Sequence, residues 1–356
     1  MKTIAVCWIF VLGLGCLDAQ VVLSRRVYAE HGRTWRQLWI ASTGSLDFRQ
    51  LTHSARDHME PFCSRDGKLI YFVSDRDGPR SLNAYAGAID RELWAFDRQT
   101  GQERLVWQTS DEDGLHLNGT TADGGVLIRA GTELRSLLQR HPWHIDKIDP
   151  ADNAAAVSPD GRALAIVIAG SLDKDGQSHD AKLFMVDTAA GQSRVQVGKY
   201  EAPAWSPDGS RIAAIAGDRL AIVHVATRKE VARVGWPKPD RAAEDLAWSP
   251  DEKYVLAGLS GEAAGSGDPQ RDYFLLNIAA GTWTPALTAQ RVLWLQGSGT
   301  LLYLRPVGTA PLAPGSTHNV WTAQLAAFDP ATHKDTPLTT GLVLNDYLSF
   351  CGPLNK

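Results

Sequence analysis

Seven side chains stand at one repeated place in this 356-residue sequence: Met59, His116, Asn153, Glu201, Glu244, Arg291 and Tyr347. Each lies four residues ahead of the same position in a recurring motif, namely Cys63, Thr120, Val157, Trp205, Trp248, Leu295 and Cys351. His116, Asn153, Glu201, Glu244, Arg291 and Tyr347 together offer an imidazole, an amide, two carboxylates, a guanidinium and a phenol. Such a set can hold a polar ligand or dock a protein loop, and carboxylates are the groups on which acid–base chemistry on sugars rests. Mixed polar residues are equally the ordinary content of solvated strand ends.

Other constellations are weaker. His141-Pro142-Trp143-His144 carries two histidines at metal-like spacing, but the proline between them and the lack of a nearby acidic partner favour loop packing. Asp173-Lys174-Asp175-Gly176 with Asp180 holds only part of a calcium-loop series and reads as a solvated hairpin turn. Trp35, Arg36 and Trp39, near His31, could form an aromatic platform for a sugar, although Trp39 shares a strand position with Trp94, which favours packing. There is no Gly-x-Ser-x-Gly elbow, His-Glu-x-x-His pair, phosphate-binding glycine loop or dinucleotide fingerprint. The expectation is no catalytic residue, no cofactor and no metal.

The elements that position these residues are legible as internal repeats. Ala204-Trp205-Ser206-Pro207-Asp208-Gly209 recurs as Ala247-Trp248-Ser249-Pro250-Asp251 and as Ala156-Val157-Ser158-Pro159-Asp160-Gly161, with degraded copies at Phe62–Gly67 and Thr120–Gly124. An apolar alternating run follows each copy, then a run such as Leu93-Trp94-Ala95-Phe96-Asp97, then a second tight turn and a fourth strand. Units of this kind suit four-stranded propeller blades whose first strands line the axis, so the seven residues above should ring one mouth of the channel.

Trp-Ser-Pro-Asp-Gly, the apolar strand and the Leu-Trp-x-x-Asp run together resemble the WD40-like (PD40) repeat of TolB-type β-propellers, across nearly the whole chain after its N-terminal leader. The resemblance implies an all-β fold and a single propeller, and says little about function, because the repeat serves pore-associated, enzymatic and sensory proteins alike. Six complete units plus one shared between the ends give seven blades. The alternative is six, as TolB itself implies, if Leu115–Ile148 is only an insertion. The stretch from Arg49-Gln50-Leu51-Thr52 to Arg76-Asp77-Gly78 is similar to that of oligogalacturonate lyases, which implies a histidine-based metal site from later blades. Blades four to seven hold only His224, His318 and His333, none at matching repeat positions.

The chain ends complete the ring. Val21–Glu30, Gln37–Ala41 and Phe48–Thr52 read as strands two to four of a blade without a first strand, and Tyr347–Pro353 matches the first-strand pattern of Glu60–Ser64. N- and C-terminal strands should therefore pair and close the propeller. Cys63 and Cys351 then fall on equivalent positions of neighbouring blades. A disulfide there would restrict nearly the whole chain, worth roughly 4–5 kcal/mol in the chain-entropy model; the alternative is two buried thiols too far apart to bridge.

Composition bounds the rest. A net charge of −4, from 36 basic and 40 acidic residues, leaves no cationic excess for phosphate backbones and excludes a nucleic-acid binder. An apolar content of 44% excludes wholesale disorder. Lys2, the uncharged run Thr3–Leu17 and Ala19 read as a secretory signal peptide over residues 1–19, leaving a propeller domain over 20–356. Lipoprotein processing at Cys16 is the weaker alternative. No later apolar run is long enough to span a bilayer, so the expected location is exported, periplasmic or secreted. The expected function is a non-catalytic, TolB-like binding scaffold for a protein or cell-envelope component. The alternative is a glycan-binding or lyase-like propeller that uses the channel mouth.

Overall fold

The computed structural model describes residues 20–28, 34–42, 47–75, 91–108, 115–138, 142–149, 153–172, 178–189, 193–260, 270–295, 299–311, 317, 319–339 and 345–351. The expected leader, residues 1–19, lies outside them. Among the described residues there is no helix. The first three strands, β1 (Gln20–Tyr28), β2 (Thr34–Ser42) and β3 (Arg49–Gln50), form a meander that lacks an innermost strand.

Five four-stranded antiparallel sheets follow in plain succession, apart from one insertion. They are β4 (His58–Cys63), β5 (Leu69–Asp75), β6 (Arg91–Asp97) and β7 (Glu103–Gln108); then β8 (Leu115–Thr120), β9 (Val126–Ala130), β10 (Glu133–Leu137) and β11 (His144–Ile145). The third combines β12 (Ala155–Val157) and β13 (Ala163–Ile168) with β16 (Lys182–Asp187) and β17 (Arg194–Gly198), around an inserted hairpin of β14 (Ser171–Leu172) and β15 (Ser178–His179). The fourth is β18 (Glu201–Trp205), β19 (Arg211–Ile215), β20 (Arg219–His224) and β21 (Lys229–Gly235); the fifth is β22 (Ala243–Trp248), β23 (Tyr254–Ser260), β24 (Arg271–Asn277) and β25 (Thr282–Ala289). A sixth, β26 (Val292–Trp294), β27 (Leu301–Pro311), β28 (Asn319–Asp329) and β29 (Lys334–Pro337), precedes the last strand, β30 (Asn345–Cys351).

β30 completes the opening meander as its innermost strand, with Val21 opposite Phe350 and Leu23 opposite Leu348. The inner strands β4, β8, β12, β18, β22, β26 and β30 touch in that order and return to β4. The fold is a seven-bladed β-propeller, and Leu115–Ile148 is a blade rather than an insertion.

Apolar strands make the ring cohere because each blade buries its faces against its neighbours. Tyr71, Val73 and Leu93 of the first blade pack with Leu115, Val126 and Ile128 of the second. Leu127 and Leu134 meet Leu164 and Ile166, and Ile222 meets Trp248 and Val255. Across the closure, Val22, Leu38 and Ile40 pack with Ile70 and Phe72. These side chains are essentially inaccessible to water, so each contributes about 1.5–3 kcal/mol of burial relative to an exposed position.

The motif residues are the joints. Ser206 Oγ donates to Asp208 Oδ1 at 2.6 Å and accepts from the Arg211 amide at 2.9 Å, while the Ser210 amide donates to the same carboxylate at 2.9 Å. The Ser206 hydroxyl, foremost among these donors, holds the Asp208 carboxyl down at about 2. The same bolt recurs at Ser64–Asp66, Ser158–Asp160 and Ser249–Asp251. Gly209 takes φ 73° at the turn's left-handed position, where the fifth blade instead places Glu252 at φ 59°. That carboxylate reaches back to the fourth blade, accepting from the Asp208 amide at 2.9 Å and pairing with Arg211 Nη2 at 2.5 Å.

The motif tryptophans link inner strands: Trp205 Nε1 donates to the Ala156 carbonyl at 2.9 Å, and Trp248 Nε1 to the Ala204 carbonyl at 3.0 Å. Each bond joins one blade to the residue just before the equivalent position of the preceding blade. Arg211 lies over the Trp248 ring at 4.6 Å.

Trp248→Ala removes a 5%-exposed ring and this interblade bond together. It is expected to lower unfolding free energy by about 3–5 kcal/mol in urea titrations, against about 1 kcal/mol for Ser206→Ala. Cys63 is disulfide-bonded, and Cys351 is its expected partner, because β30 lies against β4 and both cysteines hold the same repeat position. Alkylation under non-reducing conditions followed by intact mass should then find neither thiol free; two modified sites at Cys63 and Cys351 would contradict this pairing.

Candidate functional site

A pocket opens at the channel mouth where the inner strands of the third, fourth and fifth blades begin. Its wall is built from Asp149, Asn153, Glu201, Glu244, Asp245 and Arg271 over an apolar floor of Ala154, Val167, Ala202, Ile215 and Ala243, enclosing a cavity of about 240 Å³. Inner strands bring Glu201, Glu244 and Asp245 there. In β18 the register breaks between Glu201 and Ala204, and Ala202, which precedes Pro203, takes φ 46°. β4 repeats the device at Glu60-Pro61, with Glu60 at φ 49°. Bulges of this kind re-aim side chains at the rim of a sheet. β22 breaks register between Ala243 and Asp245, and both Glu244 and Asp245 face the pocket.

Four carboxylates against one guanidinium leave the pocket with a formal charge of −3. Arg271 Nε lies 2.5 Å from Glu244 Oε2 and 3.2 Å from Asp245 Oδ2, and Tyr273 Oη donates to Asp245 at 3.0 Å. Burial works against the Arg271 charge, and Asp245 and Glu244 more than offset it, so its pKa is raised. Asn153 Nδ2 donates to the Glu244 carbonyl, tying the third blade to the fifth across the mouth. Glu201 is different. Among the described residues its carboxylate makes no hydrogen bond, and partial burial first, then the neighbouring Asp149, push its pKa up.

The pocket thus gathers Asn153, Glu201 and Glu244 of the residues expected at the mouth. His116 stands apart, its Nδ1 3.1 Å from Glu60 Oε1. Arg291 is exposed and does not line the pocket. Met59 is buried against Arg36, and the Tyr347 side chain lies outside the described residues. Spacing did not find Asp149, Asp245 or Arg271. Asp245 follows Glu244 directly, but Arg271 arrives from a third strand and Asp149 from the connection into the third blade.

Two expectations are corrected. Trp35, Arg36 and Trp39 do not form one platform, because Trp35 and Arg36 alternate to opposite faces of β2. Arg36 is buried, with Nη1 3.1 Å from Asp57 Oδ2, and Trp39 lies under Arg25 at 5.0 Å; His31 is outside the described residues. His144 does have acidic neighbours: strand pairing sets it beside Glu133 and Asp146, with one ligand atom from each within 4.8 Å of the others. Trp143 packs as expected, its Nε1 donating to the Thr188 carbonyl at 2.9 Å. Of the partial calcium series, residues 173–177 lie outside the described residues, and Asp180 pairs with Lys199 at 3.1 Å. The later-blade histidines do not converge among the described residues, as His224 bonds within its own turn to Thr227 and His333 packs edge-on to Phe328.

Ser54 Oγ lies 2.8 Å from His58 Nε2, a contact that superficially suits a nucleophile and its base. Among the described residues no third polar group bonds this histidine, and its Nδ1 is buried without a hydrogen-bond partner. Burial foremost, then Arg56, holds the imidazole pKa down at about 3, so it stays neutral and acts as a clamp on the loop. The unfolded chain takes up this proton near pH 6.5 and the folded chain does not. Stability should therefore fall as pH drops from 6.5 towards 3, with no further loss from this group below that. Urea titrations at pH 7 and 4.5 are expected to differ by about 2–3 kcal/mol more for the native sequence than for His58→Asn. Equal differences would remove His58 as the cause.

No family model matches this sequence, and no curated protein matches it. Among solved structures the chain is similar to TolB from Acinetobacter baumannii, at 13% identity and a TM-score of 0.49, covering 95% of this chain and 67% of that one. It is similar to a TolB described from Agrobacterium tumefaciens, at 14% identity and a TM-score of 0.44, covering 73% of this chain and 90% of that one. A puromycin-hydrolyzing peptidase of Mycobacterium tuberculosis has 13% identity and a TM-score of 0.49, covering 80% of this chain and 47% of that one. The propeller itself is read from the strand order, and TolB structures are among those it resembles.

Proposed function

We propose that this chain is an exported, TolB-like propeller scaffold without catalytic activity, which docks a protein or cell-envelope component at the channel mouth. Glu201 carries the reading. It is an exposed carboxylate without a hydrogen bond among the described residues, at a pocket of formal charge −3 whose other acids include the Arg271-paired Glu244 and Asp245. A cationic group of a partner, such as a lysine side chain or a free N-terminal amine, satisfies it, and the apolar floor accepts the methylene stem. Glu244 and Asp245, held by Arg271 and Tyr273, suit recognition better than proton transfer, which needs a group free to change its charge, and Glu201 is the acid on which a turnover test turns. Export is proposed on the leader-like residues 1–19; no helix among the described residues is long and apolar enough to cross a membrane.

Peptides bearing lysine or acetyl-lysine, titrated by fluorescence anisotropy, test the pocket. The lysine form should bind more tightly, and Glu201→Gln should weaken it by about tenfold while leaving the acetylated form unchanged. Capture of an envelope partner should weaken in parallel. Turnover on a glycan panel that disappears in Glu201→Gln and Glu244→Gln would replace this reading with acid–base chemistry on sugars.

A further inference from the structure

The second blade carries a group of side chains that the channel mouth does not use. β10 and β11 are its two outermost strands, paired with Leu134 opposite Ile145 and Arg135 opposite His144. Leu134 and Ile145 are completely buried, so alternation turns the residues on either side of them away from that core. The same register brings Glu133 beside Asp146. Trp143 anchors β11 from the other side through its bond to the Thr188 carbonyl of the third blade. These two paired strands are therefore held before any ligand arrives, and His144 and Asp146 are presented exposed beside them.

We propose that Glu133, His144 and Asp146 form a divalent transition-metal site of the zinc class on the outer edge of this blade. One donor atom from each lies within 4.8 Å of the other two. Tetrahedral zinc with bonds of about 2.0–2.2 Å needs donors about 3.4 Å apart, a contraction that side-chain rotations at an exposed position can supply. Arg135 Nη2 holds Glu133 Oε2 at 2.6 Å and leaves the second carboxylate oxygen for the metal, the arrangement in which an outer partner orients a ligating carboxylate. Two carboxylates exceed the single arginine charge, so the site favours a cation. The imidazole nitrogen selects zinc, copper or nickel over magnesium or calcium, which prefer oxygen alone. Three protein ligands leave a fourth position for water or for a donor from another molecule.

Calorimetric titration of the chelator-treated, tag-free protein with Zn²⁺ tests the site, with Ca²⁺ and Mg²⁺ titrated in parallel. The expected result is saturable binding of one Zn²⁺ per chain, weakened about tenfold or more by His144→Ala and by the nearly isosteric Asp146→Asn, and no matching isotherm for the two alkaline-earth ions. Circular dichroism confirms that both variants fold. Absence of a one-equivalent isotherm, a Zn²⁺ isotherm unchanged in folded His144→Ala or Asp146→Asn, or equal binding of Ca²⁺ would overturn the proposal.

Discussion

The pairing of β1 with β30 is the constraint on which the rest of the ring depends. Every other blade is a local meander whose four strands lie close in sequence, but the seventh must join Val21 to Phe350 and Leu23 to Leu348. Until it does, both Val22 and the inner face of the first blade lack their neighbours, because Val22, Leu38 and Ile40 bury against Ile70 and Phe72. Contacts of such sequence separation carry the largest loop-closure cost. That cost is met by apolar burial along the seam.

Much of the fold was legible because the repeat encodes it locally. Ser206, Asp208 and Gly209 specify a turn by their own hydrogen bonds and backbone freedom, so their recurrence marks blades directly. Degraded copies were harder to read. The second blade keeps Thr121 and Asp123, whose side chains still bond at 2.6 Å, and this preserved the turn where serine and proline are absent. Glu252 shows the limit of such reading: nothing in its own turn explains a glutamate with positive φ, and its partners Arg211 and the Asp208 amide belong to another blade.

The mouth was legible only by strand. Counting back from the motif found Asn153, Glu201 and Glu244, since one repeat position maps to one height along the axis. It could not reveal which side chains share a cavity, because Arg271 and Asp149 reach the site from segments that the inner-strand pattern does not describe. The acidic neighbours of His144 show the same limit: Asp146 stands two residues on in the sequence, while Glu133 comes from the neighbouring strand. Pairing of this kind is tertiary information, and neither composition nor a one-dimensional motif contains it.

The closing sheet also sets how the molecule bears load. Gln20 begins β1 and is paired directly with Cys351, the final residue of β30, in an antiparallel ladder. Tension applied between these two points pulls their strands apart from that shared end, so the ladder yields one rung at a time instead of resisting in shear. A cross-link at Cys63 on the adjoining β4 lies beside this opening end. Mechanically, the propeller behaves like a clasp whose weakest direction runs between Gln20 and Cys351; a bond from Cys63 to Cys351 would leave that ladder free to peel and limit the extension to the segment between Gln20 and Cys63.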